Sequence, residues 1–120
     1  MAHSPAFLTL IDSVHSSVRD VSVGETRDRL SKPGVHIVDV REDTEWAAGH
    51  VAGAVHIGKG VIERDIEEKI PDKNAEIILY CGGGFRSVLA GDAIQKMGYT
   101  NVASMAGGWR EWKSVGAPVE

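Results

Sequence analysis

Residues 76–97 constrain the fold more than any other part of the chain. Glu76-Ile77-Ile78-Leu79-Tyr80 is a short apolar run with strand character. Cys81-Gly82-Gly83-Gly84-Phe85-Arg86-Ser87 follows at once, and Ser87 to Met97 reads as a helix that Gly98 terminates. A strand, a glycine turn and a helix in direct succession make a βα unit. Such units return to the same sheet through right-handed crossovers.

The rest of the chain repeats that alternation. The pattern predicts strands at 20–23, 35–40, within 51–57, at 76–80 and at 102–104, and helices at 25–30, 42–48, 61–70, 87–97 and 109–115. This is the signature of an α/β fold, a mostly parallel sheet with helices on both faces. Ligands of such sheets bind outside the carboxyl ends of the strands. Cys81 lies at the carboxyl end of the 76–80 strand. Ahead of the alternation, Ser4-Pro5 reads as an N-cap and first helical residue, and Phe7, Ile11, Val14 and Val18 recur at helical spacing. Residues 1–19 are therefore expected to form an amphipathic N-terminal helix extension. It would pack on a domain of residues 20–120 or against a second copy.

Cys81 is the only cysteine of the chain. Its sulfur is expected near a helix N-terminus, where backbone N–H groups lack intrahelical partners and the dipole favours negative charge. Gly82, Gly83 and Gly84 allow several N–H groups to converge on one centre, and Arg86 adds a permanent positive charge. This environment favours the thiolate, the reactive form of cysteine. The competing reading is a small buried hydrophobe, but that role does not need three glycines and an arginine alongside. Phe85 is expected to form an apolar wall of the pocket. Ser87 fits either a capping role or a hydrogen bond to the sulfur.

Composition narrows the function. The chain has 120 residues and 42% hydrophobic content, the size of one domain with an ordinary core. A net charge of −4 argues against general nucleic-acid binding. No apolar stretch reaches the length of a membrane span, and residues 7–18 are interrupted by Asp12, Ser13, His15, Ser16 and Ser17, unlike a signal peptide. A single cysteine excludes an internal disulfide, so the cytoplasm is the expected compartment. His50 and His56 fit no zinc spacing, so neither a metal nor any cofactor is expected. Trp46, Trp109 and Trp112 read as core or rim aromatics, and Arg41 as a brace bonded to nearby carboxylates or carbonyls.

The loop fits C-x-x-G-x-R-S and resembles the active-site loop of single-domain rhodaneses, which are sulfurtransferases. Asp39-Val40-Arg41-Glu42 with Glu45-Trp46 resembles that family's D-V-R-E-x-x-E-[FYW] segment. Gly49-His50-Val51-Ala52-Gly53-Ala54-Val55-His56-Ile57 resembles its G-H-I-x-G-A-x-x-I segment, and Gly107-Gly108, Trp112, Gly116 and Pro118 resemble its C-terminal pattern. Gly58-Lys59 departs from the family, which usually places proline after the isoleucine.

The resemblance implies a rhodanese-like α/β/α sandwich with a five-stranded, mostly parallel sheet. It implies Cys81 as the catalytic residue, with Gly82, Gly83, Gly84, Phe85, Arg86 and Ser87 binding substrate. The implied partners are a small-molecule sulfur donor, thiosulfate or a related persulfide, and an external thiol or cyanide acceptor. A protein acceptor, and a monomeric or homodimeric state, fit as well. Arg86 would attract an anionic donor. Four residues separate Cys81 from Arg86, whereas cysteine phosphatases of the same fold use five. The shorter loop suits a single sulfur atom better than a tetrahedral phosphate. The alternative is a partner-binding or persulfide-sensing module of the same fold.

Overall fold

The computed structural model describes residues 3–120. Five strands, β1 (Arg19–Val21), β2 (Val35–Asp39), β3 (Val55–His56), β4 (Glu76–Tyr80) and β5 (Val102–Met105), form one sheet in the order β1-β5-β4-β2-β3. Each neighbouring pair is parallel. The helices are α1 (Pro5–His15), α2 (Val23–Asp28), α3 (Asp43–Ala48), α4 (Ile62–Lys69), α5 (Arg86–Lys96) and α6 (Gly108–Ser114). None is long and apolar enough to cross a membrane.

β4 occupies the centre because its residues are apolar on both faces. Ile77, Ile78, Leu79 and Tyr80 are all fully buried, the pattern of a parallel strand covered on both sides. Ile77 and Leu79 pack with Ile62 and Ile66 of α4 and Ile94 of α5. Ile78 and Tyr80 pack with Val23 of α2 and Trp112 of α6. The expected sandwich is thus formed, with one core on each side of the sheet. The charged residues of α4 face outward while Ile62 and Ile66 point in.

The short strand expected within 51–57 is Val55–His56, beyond the turn that Gly53 makes at φ +81°. Val51 instead bridges antiparallel to Val119 near the C-terminus. At the other end α1 stops at His15, so Val18 lies beyond the helix its spacing suggested. Val18 is nevertheless buried, and it sits against Gly91 of α5. A Cβ on Gly91 would come within 2.9 Å of Val18 Cγ1, so the small residue permits that approach.

α1 is docked on the domain. Ser4 caps it by accepting the Phe7 N–H at 3.2 Å, and Pro5 follows. Ile11 is buried, and Gln95 of α5 donates to the Ser17 carbonyl at 2.8 Å.

A buried polar network closes the carboxyl end of β2. Arg41 donates from Nη2 to Asp39 at 2.7 Å and to the Gly49 carbonyl at 2.7 Å. The Tyr80 hydroxyl donates to Asp39 at 2.6 Å and accepts the Val51 N–H at 3.1 Å. Burial, then the bond to Asp39, holds the Tyr80 phenol far above its ordinary pKa. Burial opposes the charge on Arg41, but the hydrogen bond and charge of Asp39 outweigh it and raise its pKa. Arg41 therefore braces the fold, as expected of a buried arginine.

Candidate active site

The loop between β4 and α5 curls around one atom. Cys81 is 1% exposed, and its Sγ accepts hydrogen bonds from the N–H groups of Gly84 at 3.2 Å and Ser87 at 3.4 Å. Gly84 reaches that position at φ +106°, a conformation that favours glycine. The Ser87 hydroxyl lies 3.5 Å from Sγ and 2.7 Å from the Ser104 hydroxyl at the end of β5. Ser87 is the second residue of α5 and makes no side-chain cap. Of its two expected roles, contact with the sulfur is the one the geometry supplies.

α6 holds the outer side of the loop. The Trp109 N–H donates to the Cys81 carbonyl at 2.8 Å and the Arg110 N–H to the Gly82 carbonyl at 3.1 Å. The first carbonyls of the loop are thereby occupied by α6. Among the described residues, the N–H groups of Gly82, Gly83 and Phe85 take no acceptor. Gly108 makes this contact feasible. It sits at φ +55°, and a Cβ there would lie 2.4 Å from the Cys81 carbonyl oxygen.

Arg86 has a partner that sequence reasoning missed. Its guanidinium grips Glu45 of α3 through two bonds, Nη1 to Oε1 at 2.7 Å and Nη2 to Oε2 at 3.1 Å. Such bidentate pairs are the strong form of a charged hydrogen bond. The bond to Arg86, against the cost of burial, holds the Glu45 carboxyl at about 2. The same bond raises the Arg86 pKa. Glu45 also accepts the Glu42 N–H at 3.0 Å, which fixes it at the start of α3. The charge of Arg86 is thus already countered inside the protein. Nothing near Glu45 in sequence signals this, because its partner lies 41 positions away.

An open cleft of about 550 Å³ lies over the loop. Cys81, Gly82, Gly83, Phe85 and Arg86 line it, while Gly84 and Ser87 act through their bonds to the sulfur. Phe85 lines the cleft and does not stand alone. The His3 and Phe7 rings lie 4.8 and 6.1 Å from its ring, both edge-on. Arg110 also lines the cleft. His3, Phe7 and Arg110 were not legible as site residues, since each reaches the loop only through packing.

The remaining candidates stay outside this cleft. His50 Nδ1 lies 3.1 Å from the Trp46 carbonyl and its ring stacks on Trp46, with ring centroids 3.5 Å apart. His56 Nε2 bonds the Arg41 carbonyl at 2.8 Å. Among the described residues no group of three His, Cys, Asp or Glu side chains could hold a metal ion. Trp112 is buried in the core, and Trp109 packs beside it, under Arg41.

The model of the rhodanese-like domain family matches residues 22–115. The chain is 36% identical to the thiosulfate sulfurtransferase PspE of Escherichia coli strain K12 over 72 residues, covering 60% of this chain and 69% of that protein. It is 30% identical to the thiosulfate sulfurtransferase GlpE of Pseudoalteromonas translucida strain TAC 125, covering 80% of this chain and 90% of that protein. It is 33% identical to the "Putative sulfur carrier protein YrkF" of Bacillus subtilis strain 168 over 81% of its length, but spans only 52% of that relative.

Among solved structures, a Rhodopseudomonas palustris CGA009 protein of unknown function, described as a possible tyrosine phosphatase, superposes with a TM-score of 0.89 at 25% identity. It covers 100% of this chain and 98% of that one. The human single-domain sulfurtransferase TSTD1 superposes at 0.72 with 28% identity, covering 81% and 96% of the two chains. A family model that spans residues 22–115, most of the chain, leads to one conclusion: the chain belongs to the rhodanese-like domain family.

Proposed function

We propose that the chain is a sulfurtransferase that carries sulfane sulfur as a persulfide on Cys81. It takes the sulfur from thiosulfate or a related persulfide donor and passes it to a thiol, cyanide or a protein acceptor. The observation that carries this reading is the Cys81 sulfur itself. It accepts two backbone N–H groups at the base of an open cleft, with a hydroxyl at 3.5 Å.

In the first half-reaction the Cys81 thiolate attacks the outer sulfur of thiosulfate. A new S–S bond forms, the old one breaks, and sulfite leaves with the electron pair. In the second, an external nucleophile attacks the outer sulfur of the persulfide and the Cys81 thiolate returns. The N–H groups of Gly82, Gly83 and Phe85, which have no acceptor among the described residues, are available to the negative charge of the persulfide. Neither step requires a general base, because thiolate and sulfite are both competent as anions. With no second cysteine, the sulfur must leave to another molecule. A thiol acceptor and a lone cysteine suit a reducing compartment, the cytoplasm.

The test is intact mass after incubation with thiosulfate, for the wild type and Cys81→Ser, followed by cyanide. The expected result is a gain of one sulfur, about 32 Da, on the wild type alone, lost with release of thiocyanate. A gain with polysulfide but not thiosulfate would keep the persulfide and change the donor. No gain with any donor would overturn the reading and favour a partner-binding module.

A further inference from the structure

Two buried serines stand behind the Cys81 sulfur, and the chemistry described above uses only one of them. Ser104 belongs to β5 and lies beside Leu79 of β4 in the register of the sheet. It is 1% exposed, and Ser87 is fully buried. Their hydroxyls lie 2.7 Å apart, and the Ser87 oxygen lies 3.5 Å from Cys81 Sγ. Neither hydroxyl has another hydrogen-bond partner among the described residues. Ser104 Oγ, Ser87 Oγ and Sγ therefore form an isolated chain of three atoms, built from β5, α5 and the loop.

The direction of that chain follows from its protons. A serine hydroxyl has one proton to donate, and a thiolate only accepts. With Cys81 ionised, Ser104 donates to Ser87 and Ser87 donates to Sγ, so both protons are placed. If Ser87 turned its proton toward Ser104, the Ser104 proton would have no acceptor and the sulfur would lose a donor. A buried donor left without a partner is costly. The arrangement that satisfies both hydroxyls is thus the one that aims the Ser87 proton at the sulfur. Hydrogen bonds in series also polarise one another, which strengthens the last of them.

We propose that Ser104 is a positioning residue for the reaction at Cys81: it fixes the Ser87 hydroxyl as a donor to Sγ and so stabilises the sulfur as an anion. This rests on the sulfurtransferase reading and adds a residue to it. When cyanide attacks the outer sulfur of the persulfide, a C–S bond forms and the S–S bond breaks. Cys81 leaves as the thiolate with the electron pair, and the charge returns to Sγ, where the two serines meet it. In the first half-reaction the same stabilisation has opposed effects. It keeps more of the sulfur ionised, and it makes each thiolate a weaker nucleophile.

Those opposed effects give Ser104 a signature that packing alone would not produce. Ser104→Thr and Ser104→Val have the same shape and differ by a hydroxyl in place of a methyl group. Two rates are measured for each variant and for the wild type. One is alkylation of Cys81 by iodoacetamide as a function of pH, and the other is loss of sulfur from the preformed persulfide to cyanide. In Ser104→Val, alkylation below the plateau of the pH profile is expected to be roughly threefold slower, with a plateau equal to or slightly above that of the wild type. Loss of sulfur to cyanide should also be roughly threefold slower. Ser104→Thr should restore both rates. Ser104→Ala, which removes the hydroxyl and adds no atom, should match Ser104→Val and decides the point if the larger side chains disturb β5.

An alkylation profile in Ser104→Ala that matches the wild type would overturn the proposal. Equal losses in Ser104→Thr and Ser104→Val would overturn it as well, by tracing the effect to packing. So would a fall in alkylation by the same factor at every pH, which reports access to the sulfur and not its charge. Alkylation needs no sulfur transfer. A wild type that takes up no sulfur from any donor would remove the sulfurtransferase reading, while the pH profiles would still decide whether Ser104 acts on the thiolate.

Discussion

Arg86 and Arg110 line the same cleft as Cys81, and of the two only Arg86 is paired with a carboxylate among the described residues. The first is spent on Glu45, at 2.7 and 3.1 Å, and the second meets no carboxylate among the described residues. The pairing ties the cysteine loop to α3 through Arg86 and Glu45. It also makes stability depend on pH. The Glu45 carboxyl is lowered from its ordinary 4.5 to about 2, chiefly by the bond to Arg86. A carboxyl depressed in the folded state contributes stability that is fully present above about pH 4.5. That contribution is lost as pH falls toward 2. Glu45 is partly open to water, so screening reduces the size of the effect. Glu45→Gln should flatten the loss of stability between pH 4.5 and 2, read by urea unfolding at each pH. An unaltered slope would mean that other carboxylates carry it. The sulfur's own surroundings were legible, since Cys81, the glycines and Ser87 are neighbours in sequence. The Glu45 and Arg110 contacts were not, because no local pattern encodes a partner that distant.

At the scale of elements, the junction of α6 with the cysteine loop decides the shape of the site. Gly108 meets two backbone oxygens there. A Cβ would lie 2.4 Å from that of Cys81 and 2.8 Å from that of Gly82, and neither can rotate aside as a side chain would. Gly108→Ala should cost about 1–3 kcal/mol. It should also slow persulfide formation more than tenfold at temperatures where the fold survives. Gly116, at φ +70° with nothing within 4 Å of a Cβ, isolates backbone strain from collision. Gly116→Ala should lose stability but keep the rate of persulfide formation. Equal rates in the two variants would show that the α6 contact does not shape the loop. Element positions followed the sequence wherever local chemistry is strong. β4 coincides with the run 76–80, and Ser4-Pro5 begins α1. β3 lies within the expected range 51–57, and only the tertiary bridge to Val119 shows where Val51, outside the strand, pairs.

The whole molecule is one sheet with a core on each face, and β4 belongs to both. Ile78 is fully buried on the face shared with α2 and α6. Ile78→Ala should cost about 2–5 kcal/mol by leaving a cavity, with the denaturant m-value unchanged. Cys81, at the strand's carboxyl end, should still take up sulfur below the lowered melting temperature. Loss of uptake in a folded variant would mean that the core sets the loop more tightly than the contacts with α5 and α6 suggest.

By itself the sequence determined the alternation of strands and helices, the burial of residues 77–80 and the placing of a cysteine loop at the sheet's carboxyl edge. Those follow from hydrophobic period and glycine content, which act between neighbours. The tertiary structure alone decided which arginine pairs with a carboxylate and which rings meet at the cleft. The order β1-β5-β4-β2-β3 sets the end of β2 beside that of β4, so α3 and Glu45 come within reach of the loop. Docking of α1 beside α5 brings Phe7 to Phe85. Such pairings depend on which surfaces the strand order brings together, and a local apolar pattern carries no information about that order.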